Sequence, residues 1–193
     1  MPFLVRAINR EYWPEPDERD IKARVLELNS DALNDFFKTS DNKMSFWYAE
    51  DNTDVDEAIL AYLGSMDKWV VMEKRGEFER QEFILLPEDK IPSGIEIQKN
   101  PNHTYIKDYE IRHRDLANLN VRLINELAAL FIKTLDNNNG MKAVSKTHIK
   151  SMFIKAVKEN KITSSNIPKS DNGALRKYIS AIEEEIESTK KAM

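Results

Sequence analysis

The sequence predicts an α+β fold: a small mixed or antiparallel sheet covered by two helices, followed by a two-helix extension at the C-terminus. Three observations carry this. "MSFWYA" (Met44 to Ala49) alternates side chains with a period of two, as a strand does. Two stretches, 54–66 and 114–135, repeat apolar residues at helical spacing. The segment "DNNNG" (Asp136 to Gly140) then breaks the chain, and two more amphipathic stretches follow it. The expected division is an α+β domain over residues 1–136 and a helical extension over 141–193.

Taken in order, "FLVRAIN" (Phe3 to Asn9) is β-compatible, and proline-rich "WPEPDERD" ends it. "IKARVLEL" after it reads as strand or helix, and "SDALNDFF" as a short helix capped by Ser30 or Asp31. "TSDNK" is a turn, because Asp and Asn tolerate left-handed backbone and bond their own main chain. In the strand that follows, Met44, Phe46 and Tyr48 share one face, and Ser45, Trp47 and Ala49 the other. Thr53 or Asp54 then caps a helix whose acids sit at its positive end. Val55, Ala58, Ile59, Leu63 and Met66 make its apolar stripe. The aromatics are therefore read as a core strand beneath this helix, with Trp47 as the member to expect at a surface platform if one exists.

"KWVVMEK" and "EFERQEFILLP" flank Arg75-Gly76, a plausible hairpin turn, and "GIEIQK" is another strand. From Arg114 to Leu135 runs the longest predicted helix, about 30 Å at 1.5 Å per residue. Leu116, Leu119, Leu123, Leu127 and Leu130 form its stripe. Beyond Gly140, Ser145 caps a helix with Ile149, Met152, Phe153, Ala156 and Val157 on one side. The last helix places Leu175, Tyr178, Ile179, Ile182 and Ile186 together, a stripe that docks either on its neighbour or on a partner chain.

Composition narrows the function classes. The 193 residues are 41% hydrophobic and 32% charged, the balance of a globular chain. No cysteine is present, so disulfides, thiolate metal sites and a cysteine nucleophile are excluded. A reducing, cytoplasmic compartment is the expectation. No apolar run approaches the roughly 20 residues of a membrane span. The first residues, "MPFLVRAINREYW", do not read as a secretory signal. Residues 1–136 hold 18 Lys/Arg against 27 Asp/Glu (−9), and residues 137–193 hold 11 against 6 (+5). That split suggests either two surfaces for different partners or two parts that attract each other.

Motifs for chemistry are sparse. His103, His113 and His148 have no metal-ligand spacing, and no metal or other cofactor is implied. His113-Arg114-Asp115 matches three letters of the protein-kinase catalytic loop, but no Gly-rich loop or DFG accompanies it. Glu88-x-Lys90 after a predicted strand, with Asp67 upstream, has the spacing of a PD-(D/E)xK nuclease. There two carboxylates would hold Mg²⁺ and the lysine would polarise water or phosphate. "PEDKIPSG" is equally well formed as a turn. Lys150, Lys155, Lys158 and Lys161 line one side of the penultimate helix and would track nucleic-acid phosphates independently of sequence.

"FLVRAINREYW" and "LNDFFKTSDNKMSFWYA" together resemble small uncharacterised bacterial proteins with a basic N-terminal strand and a T-x-x-N-x-x-S-x-W segment. Here those positions are Thr39, Asn42, Ser45 and Trp47. The resemblance covers about the first fifty residues and implies a bacterial or mobile-element origin, with no activity attached. The expected function is thus a non-catalytic interaction or accessory subunit of a cytoplasmic bacterial assembly, for example in a phage-defence or toxin–antitoxin locus. Another protein subunit or a second copy would be its partner, through Trp47 or through the stripe Leu175, Tyr178, Ile179, Ile182 and Ile186. The alternatives are the nuclease and the nucleic-acid binder.

Overall fold

The computed structural model describes residues 1–32, 43–65, 70, 80–168 and 173–191. Its strands are β1 (Phe3–Ile8), β2 (Met44–Ala49), β3 (Arg80–Pro87), β4 (Glu96–Lys99), β5 (His113–Ala117) and β6 (Met141–Ser145). Its α-helices are α1 (Ile21–Leu26), α2 (Val55–Leu63), α3 (Val121–Leu135), α4 (Lys146–Lys158) and α5 (Gly173–Lys191). The strands form one sheet in the order β4-β5-β2-β1-β3-β6, with every pairing antiparallel. This is the α+β architecture with a C-terminal helix pair that the sequence predicts. None of the described helices is long and apolar enough to cross a membrane.

The alternation in β2 sorts its side chains as the sequence reading has it. Trp47 and Ala49 enter one core with α2, and Met44 and Phe46 enter the other with α3. The first core takes Val5, Phe83 and Leu85 from the sheet and Ile59, Phe153, Ile179 and Ile182 from α2, α4 and α5. The second takes Leu4, Ile84, Leu86 and Leu116 under Leu127, Phe131 and Ile132 of α3. Trp13 stacks on Phe131 with ring centroids 4.9 Å apart. Arg24 of α1 is 1% exposed and reaches Asp136, past the end of α3, through two hydrogen bonds of 2.5 and 2.9 Å. Such a paired fork is the geometry in which a buried guanidinium is tolerated.

Several expectations need correction. The helix predicted from Arg114 begins at Val121; His113–Ala117 is instead a strand inside the sheet, between β4 and β2. The leucines at 116, 119 and 123 mimic a helical stripe. Asn118, at φ 62°, and Asn120, whose side chain accepts from the Leu123 amide, separate strand from helix. "IKARVL" is helical, with no strand character. Asp54 makes no cap hydrogen bond to α2, because its carboxylate turns to Arg112. Met141–Ser145 pairs with β3, so the residues after Gly140 enter the sheet before any helix begins. Gly140 is required at that corner, where an added Cβ would lie 1.8 Å from the Thr134 carbonyl oxygen. Ser145 caps α4 as expected, accepting from the His148 amide at 3.2 Å. The Arg75-Gly76 turn, Thr39, Asn42, Met66 and Asp67 lie outside the described residues.

Candidate functional site: a cationic recess on the sheet

The register of β4, β5 and β2 decides where the ionisable side chains meet. Lys99 is opposite Arg114, and Arg114 is opposite Phe46, so all three lie in one row on the α3 side of the sheet. Two residues along β2, Tyr48 stands beside this row, with the Arg114 guanidinium 4.8 Å from its ring centroid. Ile97 comes from β4, and Ile111 and Arg112 from the turn before β5. Glu50 follows β2 and Glu88 follows β3. Together they line a recess of about 500 Å³. α3 packs over β3 and covers Leu116 of β5, and among the described residues no side chain of α1 or α3 lines the recess.

Two arginines in this recess, two residues apart, have different circumstances. Arg112 binds both oxygens of Asp54 and also Glu57, the latter at 2.6 Å, and donates to the Tyr48 carbonyl at 3.2 Å. Burial alone would disfavour its charge, but Asp54 overrides this and raises its pKa further. Among the described residues, Arg114 donates only to the main-chain carbonyls of Ile111 and, at 2.9 Å, His113. Among the described residues no carboxylate lies within ion-pair range of it. Burial therefore pulls its pKa down, with Glu88 only partly compensating. Lys99 also has no carboxylate partner among the described residues. Like charges directly opposite on neighbouring strands destabilise a sheet. In Glu88, Oε2 is enclosed yet accepts no hydrogen bond among the described residues. Burial, followed by the charge of Glu88, pushes the Tyr48 hydroxyl above its usual range.

Elsewhere several ionisable groups pair with one another. Asp56 holds Lys142 at 2.6 Å and His148 at 3.2 Å; burial opposes its charge, yet the contacts from Lys142 and then His148 keep its carboxyl below the usual range. Lys161 donates to the Tyr109 hydroxyl at 3.1 Å and pairs with Glu159 at 3.0 Å, and both partners raise its pKa. On the α2 side of β5, Asp115 is 4% exposed and accepts from Ser45 at 3.1 Å and Asn100 at 2.7 Å. His113 stacks on His103 with centroids 4.1 Å apart, and burial followed by that neighbour lowers its pKa.

These contacts locate the predicted site residues. Trp47 is 4% exposed and meets His113 edge-on at 4.9 Å, so it forms no surface platform. The described half of the T-x-x-N-x-x-S-x-W segment thus fastens β2 to β5, with Ser45 on Asp115 and Trp47 on His113. Leu175, Ile179 and Ile182 are buried in the first core, with Tyr178 and Ile186 packed against it, so α4 and the turn at Ser164–Asn166 cover the stripe that was a candidate for a partner. Glu88 and Lys90 do not converge. They sit in a 3₁₀ turn, where residues two apart point in different directions. Glu88 lines the recess, whereas Lys90 pairs with Asp89 at 3.1 Å and lines a separate hollow with Ala129 and Lys133. Among the described residues, no three His, Asp or Glu side chains gather as a metal-ligand group. Of the four lysines, Lys150 pairs with Glu185 at 2.8 Å, Lys155 lies 4.0 Å from Glu159, Lys161 is held as above, and Lys158 is exposed.

Sequence reasoning missed Tyr48, Lys99 and Arg114 as one group. The available signal was the alternation in "RHRDLA", which as a strand puts Arg112, Arg114 and Leu116 on one face. No family model, no curated protein and no solved structure matches the chain.

Proposed function

We propose that the protein is a non-catalytic interaction subunit of a cytoplasmic bacterial assembly, and that the recess is where it meets its partner. The observation that supports this is Arg114: stacked on Tyr48, oriented by two carbonyls, opposite Lys99, and without a counter-ion among the described residues. An arginine stays charged, offers only donors and presents them in a planar fork. Those properties suit recognition of an oxyanion and do not suit proton transfer. Charge-assisted hydrogen bonds of this kind are about twice as strong as neutral ones.

Size-exclusion chromatography with light scattering tests the reading. The protein is run alone and mixed with the products of the genes flanking its own. The expected result is a species heavier than the 22.4 kDa chain, lost when Lys99 and Arg114 are both changed to Glu. A wild-type protein that stays monomeric in every mixture, or an assembly indifferent to the double reversal, overturns it.

A further inference from the structure

We propose that the recess captures the C-terminal residue of a peptide chain: its free carboxylate on Lys99 and Arg114, its backbone N–H on Glu88, and an apolar last side chain against Ile97 and Ile111. The proposal rests on the reading of the recess as a contact surface and names the chemical unit that surface would hold.

Four features of the recess lead to that unit. The first is the cross-strand pair Lys99 and Arg114, two cations on one face with no carboxylate within ion-pair range among the described residues. An oxyanion reached by both would receive two charge-assisted hydrogen bonds. The second is the readiness of Arg114. Its Nη1 is tied to the carbonyls of Ile111 and His113, while Nη2 and Nε donate to no described group. The fork is thus held in place with free donors, and little side-chain order is lost on binding. The third is Glu88, whose carboxylate lines the recess and accepts no hydrogen bond among the described residues. Its Oε2 is closed off, so a ligand N–H would bond the other carboxylate oxygen. The fourth is the apolar flank: Ile111 is 70% exposed beside Arg112 and Arg114, with half-buried Ile97 across from it.

Each feature narrows the ligand. The cation pair asks for a compact anion, the carboxylate for an adjacent N–H, and the isoleucines for a hydrocarbon group. A chain terminus combines these on one residue, and carboxylate capture at a chain end is a recurring mode of peptide recognition. An internal acidic residue would separate its carboxylate from its own N–H by the length of a side chain. The volume of about 500 Å³ holds one or two residues and falls in the range of sites that enclose small ligands, well short of a broad protein interface.

The test is titration of the full chain with N-acetyl-L-leucine, followed by ¹H–¹⁵N correlation spectra. Saturable shifts are expected at the amides of Lys99, Ile111 and Arg114. N-acetyl-L-leucinamide, which lacks the carboxylate, should bind at least about tenfold more weakly, as should the N-methylated analogue, which lacks the N–H. Lys99→Gln, at an exposed position on β4, and Arg114→Gln should each weaken N-acetyl-L-leucine by about tenfold. Glu88→Leu, which removes the acceptor, should erase the penalty for N-methylation. Free L-leucine binding more tightly than its N-acetyl form would identify a free amino acid as the ligand and overturn the chain-terminus assignment. Absence of saturable shifts, equal binding of the carboxamide, or indifference to both Lys99→Gln and Arg114→Gln overturns it too. Any of these outcomes, alongside a heavier assembly that the double reversal dissolves, removes this inference and leaves the interaction-subunit reading standing.

Discussion

The two sides of the sheet are finished differently. On one side α2 crosses β1 and β2, α4 packs on α2 and β6, and α5 packs on α4. The turns around Ile106 and Tyr109 close the remaining end, and both residues are buried. Polar groups that enter this side arrive with partners: Asp115 with Ser45 and Asn100, Asp56 with Lys142 and His148. On the other side α3 covers β3, and the recess holds Lys99 of β4, Arg114 of β5 and Tyr48 of β2, with no described helical residue in its lining. Burial stabilises the closed side in proportion to the apolar area removed from water. The recess side holds two cations in register, Lys99 and Arg114, with no carboxylate in ion-pair range among the described residues. A fold that places unneutralised cations in a recess gives up some stability there, as binding sites commonly do.

The contrast yields predictions that differ in size and sign. Phe153→Ala, on the closed side and fully buried, should lower unfolding free energy by about 3–5 kcal/mol in chemical denaturation. Ile111→Ser, on the rim of the recess, should change it by no more than about 0.5 kcal/mol. Comparable losses at both positions would erase the distinction between the sides. Ser45→Ala removes one of the two side-chain donors to buried Asp115 and should cost about 1–2 kcal/mol. An unchanged midpoint for that variant would show that Asn100 alone suffices.

Lys99→Glu should have the opposite sign. Facing Arg114, the new carboxylate adds an attraction and should stabilise the sheet by about 0.2–1 kcal/mol. The same change should remove anion binding, so stability and recognition would move apart in one variant. A destabilised Lys99→Glu protein would mean that the cation pair is already neutralised in solution.

The pH dependence is more gradual. His113 has a depressed pKa through burial and then through His103, with Asp115 pulling the other way and Arg114 adding to the depression. The unfolded chain takes up a proton below about pH 6.5 that the folded imidazole refuses, so stability should begin to fall there. Asp56, held below its ordinary range, adds a second loss as pH drops below about 4, when the unfolded carboxyl protonates first. Urea titrations from pH 7.5 to 3.5 would show both. His113→Gln should flatten the upper part alone, and a profile unchanged by it would remove His113 from the account.

Local signals were readable where neighbours in sequence settle the outcome. The bounds of β2 follow from the period of two in "MSFWYA" alone, and the cap of α4 follows from Ser145 before an apolar stripe. The stripes of α2, α4 and α5 gave their core faces, because a helix must bury its apolar side somewhere. What failed locally was "HRDLANL": its leucines fit a helix as well as a strand, and sheet pairing on both edges of β5 overrode the helical spacing. Short apolar runs carry that ambiguity because period alone cannot separate the two forms.

By itself, then, the sequence determined the α+β class, the alternation of β2, the apolar faces of the helices and the absence of thiol chemistry. Each follows from the type and spacing of residues within one turn or one strand. Only tertiary structure decided that Trp47 is a clasp on His113, that the α5 stripe faces inward, and that Lys99, Arg114, Tyr48 and Glu88 share a recess. Those residues come from four places in the chain, and what joins them is strand order and register. Backbone hydrogen bonds between distant segments fix both, and the pattern within any one segment does not encode them.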